Sequence, residues 1–365
     1  MNDMTTISAA RMNSTEPAIR LVGVTKIFGR DPDVGWRMLQ SGRPKSEIQA
    51  ETGLVVGLDR VSLDIAPGQI YVVMGLSGSG KSTLIRHVNR LIEPTAGEVR
   101  VGGADVLGMS LTDLRLFRRT KVAMVFQKFG LMPHRSVLEN VAYGLEVSGV
   151  PRKERLERAA EWIETVGLKG YERFRPRQLS GGQQQRVGLA RALALDTDIL
   201  LMDEAFSALD PLIRSGMQDE LMNLQRRLGK TVLFITHDFD EALKIGDRVA
   251  VLKDGAVVQE GKPEEIVLNP VDDHVAEFVK DVNKARAIRV RTIMDSGDTE
   301  PCDLAVPATA RCEDVLPLFA DHEWVGVLDD RGVQIGRITA RRVINALARH
   351  HAAAESGGSA VTEAV

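Results

Sequence analysis

Cysteine is nearly absent from this sequence: only Cys302 and Cys312 occur among 365 residues, without CxxC spacing or a histidine cluster beside them. Reduced, structural thiols are therefore expected, not a disulfide framework or a metal site. Aromatics amount to 4%, which leaves few platforms for stacking bases. A basic excess is also missing: 47 Lys and Arg face 50 Asp and Glu, a formal charge of -3, so no nucleic-acid partner is expected. No window approaches the roughly 18 apolar residues of a membrane-spanning helix. The first residues, MNDMTTISAARMNSTEPAIR, lack the apolar core of an export signal. The expected location is the cytosol, or a membrane reached through another protein. What remains, 44% hydrophobic and 27% charged residues, is ordinary for a soluble globular chain, and the length suffices for two or three domains.

Residues 1–17 are polar and aperiodic and read as a disordered tail. From Ala18 the run AIRLVGVTKIF alternates as a strand. After a break at GRDPDVGW, the segment from Trp36 to Gln49 predicts a short helix inserted before a strand pair in VGLDRVSLDI. QIYVVMG, residues 69–75, is a buried-strand run that passes through glycines into STLIRHVNRL, where Leu84, Val88 and Leu91 fall at helical spacing. KVAMVFQ, DILLMDE and TVLFITH are three more continuous apolar runs separated by helical stretches, the pattern of a parallel sheet covered on both faces. The pattern is only helical over about 128–178, which predicts an inserted helical subdomain. Beyond a linker helix over 271–287, residues 288–350 predict a small β/α unit. Its EWVGVLDDRGVQIGRIT reads as a hairpin turning at Asp330 to Gly332. Residues 351–365 read as a second tail.

The chemistry-bearing motifs lie in the first of these regions. Gly75, Gly80, Lys81 and Ser82 satisfy G-x-x-x-x-G-K-[ST] within GLSGSGKST, where Ser77, Gly78, Ser79 and Thr83 complete the loop. In a strand–loop–helix setting its backbone N–H groups wrap phosphates, the lysine reaches the β and γ oxygens, and the Ser82 hydroxyl ligates Mg2+. ILLMDE ends a buried strand on Asp203, placed to orient a hydrated metal, and Glu204, placed to polarise a water; a helix N-cap would leave the same trace. His237 and Gln127 each end a strand. The histidine fits a structural role or a γ-phosphate contact, and the glutamine a turn former or a group meeting metal and water. LSGGQQQR, residues 179–186, opens a second helix with a serine and two glycines, an anion-binding N-terminus that lacks a lysine.

The set GLSGSGKST, Gln127, LSGGQ, ILLMDE, SALD and His237, in that order, resembles the ATP-binding cassette (ABC) family over residues 18–270. That resemblance implies an α/β P-loop nucleotide-binding domain, a mixed sheet core with a helical subdomain, that binds ATP and Mg2+ and dimerises head to tail. By resemblance, Ser180, Gly182 and Gln183 meet the partner subunit's ATP, Asp210 of SALD lies at the dimer seam, and Phe28 of KIFG stacks on adenine. Ser82, Gln127 and Asp203 are then the metal set, and Lys81, Gln127, Glu204 and His237 the catalytic one.

HVNRLIEPTAGEV, MVFQKFGLMPHRSVLENVAYGLE and the insertion WRMLQSGRPKSEIQAETG resemble more narrowly the ATPase subunits of glycine betaine/proline uptake systems. The expected partners are a second copy of the chain, integral permease subunits and, through them, a substrate-binding protein. The expected location becomes the cytoplasmic face of the inner membrane. IRVRTIM with EWVGVLDDRGVQIGRIT resembles one cystathionine-β-synthase-type (CBS) repeat, where members often carry two, so the two subunits are expected to pair theirs. Arg337, Arg341 and Arg342 fit either a salt-sensitive patch or a solvated basic face. The permease contact is expected around Phe129 to Asn140, where an exposed loop would read the same. Other cargoes (choline, carnitine, a polyamine, an amino acid) fit the cassette equally. A cassette protein of translation or repair would need two cassettes or a coiled-coil insertion, and a small-molecule kinase is opposed by LSGGQ and Glu204.

Overall fold

A computed structural model describes residues 16–348, except 128, 129, 208, 298, 299 and 301. The two expected tails fall almost wholly outside these residues, as do Phe129 and Ala208 of SALD. The chain divides into two compact units, 1–260 and 261–365.

The first unit carries two sheets. Strands β1 (Ile19–Phe28), β2 (Val55–Ile65), β4 (Ala96–Val101) and β5 (Ala104–Asp105) form an antiparallel sheet in the order β2-β1-β4-β5. β3 (Ile70–Met74), β6 (Val122–Val125), β7 (Ile199–Asp203), β8 (Thr231–Thr236), β9 (Arg248–Lys253) and β10 (Ala256–Gly261) form the second, in the order β10-β9-β3-β8-β7-β6. From β9 to β6 every neighbouring pair in it is parallel. β3, β7 and β8 are buried along their whole length, as continuous apolar runs in a sheet covered on both faces must be. Phe206 and Phe234 stack within that core at 5.5 Å between ring centroids, so Phe234→Ala would cost roughly 3–5 kcal/mol.

VGLDRVSLDI forms a single strand, β2, where a pair was expected. Arg60, at φ 49°, sits where the burial phase slips from Leu58 to Val61, so the strand passes through a bulge without turning back. The insertion is likewise two helices, α1 (Pro32–Gln40) and α2 (Lys45–Thr52), where one was expected. Pro32 opens the first, and Leu39 and Ile48 bury with Ile27 and Leu54 in a small core of their own.

Four further helices frame the site: α3 (Lys81–Val88), α4 (Leu111–Thr120), α5 (Val137–Val147) and α6 (Arg152–Thr165). α5 and α6 share one apolar cluster with α7 (Gly181–Leu193), which reaches past residue 178 to Ala194. α8 (Pro211–Leu228) and α9 (Phe239–Ile245) complete the unit.

In the second unit, β11 (Asp295–Ser296), β12 (Ala305–Pro307), β13 (Trp324–Leu328) and β14 (Gln334–Thr339) form a sheet in the order β11-β14-β13-β12. β13 and β14 make the expected hairpin, closed by Gly332 N donating to Asp329 O at 3.0 Å. In place of one helix over 271–287 stand two short ones, Asp273–Val279 and Lys284–Ala287. Asp272 and Asn283 each cap a new N-terminus, and the second cap divides the segment. Cys312 lies in this unit's core, where burial pushes its thiol up to about 11, the inert structural thiol expected.

Candidate nucleotide site

The strand order places the site. β3, β8, β7 and β6 are adjacent and parallel, so their carboxyl ends form one row. The 75–83 loop leaves β3, His237 follows β8, Asp203 ends β7 with Glu204 next, and Gln127 follows β6 two residues past its end. A parallel sheet presents ligands at this edge. Four motifs scattered over 163 positions, from residue 75 to residue 237, converge because four strands run the same way.

The loop is held open by glycines in conformations other residues avoid. Gly75 has φ 152° and Gly80 φ 100°; a Cβ on Gly75 would collide with the Leu252 carbonyl, and one on Gly80 would lie 2.5 Å from the Gly57 carbonyl. Lys81, 4% exposed, donates from Nζ to the carbonyls of Gly75 and Leu76, both at 2.8 Å. Burial pulls its ammonium below the usual lysine range, and the charges of Glu204 and Asp203 oppose that pull. The Ser79 hydroxyl is buried in the loop and has no hydrogen-bond partner among the described residues. Ser82 donates its hydroxyl to Asp203 Oδ1 at 2.7 Å, while Thr83 turns its carbonyl to His87 Nδ1 at 2.6 Å.

Arg86 was not singled out from the sequence, yet it lies 3.4 Å from Asp203 Oδ2. The signal was present: it stands four residues after Ser82, hence on the same helix face.

Glu204 adopts φ 47°, a left-handed conformation strained for a non-glycine residue. This turns its carboxylate toward Gln127, whose Nε2 donates to Oε2 at 3.0 Å, and toward His237, whose Nδ1 lies 3.8 Å from the same oxygen. An acid, an amide and an imidazole so grouped around one carboxylate oxygen can orient and polarise a water.

The loop bearing His237 is fixed from beneath. Thr236 donates to Glu241 at 2.5 Å, Asp238 caps α9, and Arg214 donates to Asp238 Oδ2 at 2.9 Å. Burial pushes the Glu241 carboxyl up, with Thr236 opposing. Phe28 ends β1, 40% exposed, and reaches the loop through Gly57: a Cβ on Gly57 would meet the Phe28 ring at 2.6 Å.

The LSGGQ segment, the signature group, stands apart. Ser180 and Gln183 close a capping box on α7, with Ser180 Oγ accepting from Gln183 N at 3.3 Å and Gln183 Oε1 from Ser180 N at 3.0 Å. Gly182 lies against Ile213 on α8, whose N-cap, Asp210, accepts from Ile213 N at 3.1 Å. Among the described residues, Ser180, Gly182, Gln183 and Asp210 make no hydrogen bond or ion pair with the 75–83 loop. Asn140, expected near a permease contact, is buried, and its amide holds the carbonyls of Met132, Arg135 and Ser136.

Comparison with known proteins matches the family model described as ABC transporter to residues 58–207. The glycine betaine transport ATP-binding protein OpuAA of Bacillus subtilis is 54% identical over 78% of this chain and 68% of its own length. The chain belongs to the ABC transporter family. The trimethylamine N-oxide transport system ATP-binding protein TmoW of Ruegeria pomeroyi is 49% identical over 87% of this chain and 96% of its own length. The glycine betaine/proline betaine transport protein ProV of Escherichia coli is 50% identical over 75% and 69%. A solved dimeric ATP-binding cassette bound to ADP and Pi superposes with a TM-score of 0.57 at 35% identity, covering 67% of this chain and 98% of that one. The family match spans the 75–83 loop, Gln127, LSGGQ and the Asp203–Glu204 pair, and the solved relative is a dimer.

Proposed function

We propose that this protein is the ATP-hydrolysing subunit of an ABC importer for osmoprotectants of the glycine betaine and proline betaine class. One observation carries the reading: Lys81, Ser82, Asp203, Glu204, Gln127 and His237 converge on one strand edge, while Ser180, Gly182 and Gln183 offer a helix N-terminus that, among the described residues, makes no hydrogen bond to the 75–83 loop. Two copies, head to tail, would complete two ATP sites, with Asp210 at the seam and Phe28 against each adenine. Ser82, Asp203 and Gln127 present hydroxyl, carboxylate and amide oxygens, a donor set that fits Mg2+. The metal, when bound, neutralises charge on the β and γ phosphates. Lys81 binds those phosphates, Gln127 and His237 orient the attacking water, and Glu204 polarises it. The signature helix shuts out solvent and adds its dipole to the developing charge.

The subunit would sit peripherally on the cytoplasmic face of the membrane, held by permease subunits that receive cargo from a binding protein. In support, no helix among the described residues is long and apolar enough to span a membrane. An open groove lined by Pro133, His134, Arg175, Arg177 and Gln178 offers a basic surface for a permease loop. Residues 288–350 would act as a CBS-like regulatory unit paired between subunits. Its exposed ion pairs, Arg337 with Glu300 at 3.3 Å and Arg342 with Asp295, are of the kind that weaken as salt shortens the screening length.

Trimethylamine N-oxide is the second reading. The match to TmoW extends over 87% of this chain and that to OpuAA over 78%, so the likeness to TmoW reaches further along the sequence. Glycine betaine and trimethylamine N-oxide each carry three methyl groups on a formally cationic nitrogen, and the cassette would touch neither. Uptake into proteoliposomes holding the assembled transporter tests both: ATP-driven entry of glycine betaine supports the first, entry of trimethylamine N-oxide alone supports the second, and entry of neither overturns the cargo while leaving the ATPase.

A further inference from the structure

The insertion of residues 31–52 has no part in the mechanism above, yet it is tied to the phosphate-binding loop through one intermediate. Helices α1 and α2 are tied at Arg43, which lies between them: its backbone N donates to the Met38 carbonyl of α1 at 3.2 Å, and its guanidinium donates to Glu51 at 2.8 Å and Glu47 at 3.4 Å on α2. Their apolar faces close over Ile27 and Leu54, beside the strand ends that carry Phe28 and Gly57. At the start of α2, the Lys45 ammonium donates to the backbone carbonyl of Asp254 and pairs with the Asp59 carboxylate at 3.4 Å. Lys45 and Asp59 are both largely sheltered, at 28% and 15% side-chain exposure, so the pair is better shielded from salt than a surface one.

Asp254 and Gly255 form the turn between β9 and β10, at φ 49° and 76°. That turn is wedged against the loop: Gly255 N donates to the Ser79 carbonyl at 3.0 Å, and Asp59 N donates to the Gly255 carbonyl at 2.8 Å. There is no slack, since a Cβ on Gly255 would lie 2.6 Å from the Gly57 carbonyl, the same atom that limits Gly80. Displacing the turn must therefore displace Ser79 and Gly80, whose backbone shapes the phosphate cradle.

Resting on the nucleotide-site reading above, we infer that the insertion is a buttress for the phosphate-binding loop and that Lys45 is its positioning residue, setting ATP affinity without touching the nucleotide. The Glu204 carboxylate follows the end of β7 and makes no hydrogen bond to the turn or to Lys45 among the described residues, so affinity and turnover separate.

The test uses the full-length protein and a fluorescent ATP analogue, comparing wild type, Lys45→Met, Lys45→Arg and Lys81→Ala. Losing a charge-assisted bond to a carbonyl, felt in part at the loop, should raise the dissociation constant about tenfold in Lys45→Met, with kcat at saturating ATP unchanged. Lys45→Arg, which keeps the donor, should recover most of the affinity. Hydrogen exchange in the same samples should quicken at amides 75–83 and stay unchanged along β7. Wild-type affinity in Lys45→Met, alongside loss of binding in Lys81→Ala, would overturn the buttress and leave the nucleotide site standing. Weakened binding with exchange raised uniformly across the unit would overturn it as well, by making Lys45 a general stabiliser. Binding indifferent to Lys81 would overturn the site and the inference together.

Discussion

Glu204 joins the carboxylate proposed to polarise water to a strained backbone, and substitutions there should separate the two. Its left-handed φ of 47° costs a residue with a Cβ about 1–2 kcal/mol. Glycine escapes that cost but loses about 0.5–1 kcal/mol through its freer unfolded chain. Neither Glu204→Ala nor Glu204→Gly keeps the carboxylate that accepts from Gln127 at 3.0 Å, so that loss cancels between them. Glycine should then be the more stable by about 0.5–1 kcal/mol, or about 1–4 °C in Tm for a unit of this size. At an unstrained strand end the order reverses, because alanine is ordinarily favoured. Glu204→Gln keeps the size and the φ while removing the charge. It should bind ATP normally, lower turnover by roughly 10²- to 10⁴-fold as expected for a general base, and accumulate an ATP-bound dimer. Thermal unfolding of the nucleotide-free Ala and Gly variants reads the strain, and steady-state phosphate release from the Gln variant reads the chemistry. An alanine variant more stable than the glycine one refutes the strain argument, and unchanged phosphate release removes Glu204 from the mechanism.

Three other perturbations follow from the same geometry. Lys81→Ala should weaken Mg-ATP binding by about 1.5–3 kcal/mol, the worth of a charge-assisted contact, and abolish turnover; normal binding in a titration would sink the P-loop assignment. Mixing Ser180→Arg chains with Lys81→Ala chains should recover part of the activity, because in a head-to-tail heterodimer both defects fall in one composite site. No recovery on mixing would mean that LSGGQ acts within its own chain. His87 is buried, its Nε2 has no partner among the described residues, and burial drives its imidazole down to about 4 from the ordinary 6.5. The unfolded chain therefore takes up a proton that the native one refuses. The stability this confers is complete above about pH 6.5 and is lost as pH falls toward 4, about 3 kcal/mol in all. Urea midpoints at pH 4.5 and 7 should converge in His87→Asn, and an unchanged pH dependence would show that another group is responsible.

The layout of the candidate site was legible in the sequence because it is written in local backbone. A strand that exits through Gly75 and Gly80 into a helix beginning at Lys81 can do little except cradle an anion. Asp203 and Glu204, after five residues of buried strand, can only emerge at that strand's carboxyl end. The signature helix announced itself in the same way, through a serine cap and two glycines. Sequence periodicity also gave the parallel sheet, since β3, β7 and β8 are apolar on both faces.

Tertiary structure decided what depends on pairing distant segments. The slip at Arg60 makes one strand of an expected pair only because β1 is there to hold the bulge. Arg86 becomes a neighbour of Asp203 only when α3 packs beside β7. The approach of Phe28 to the loop rests on Gly57, and the bond from Lys45 to the Asp254 carbonyl joins residues 209 apart. Conformational preference is a property of a few adjacent residues and survives in the linear text. Contact across the fold is set by which strands lie side by side, and the chain acquires that order only when its apolar faces close on one another.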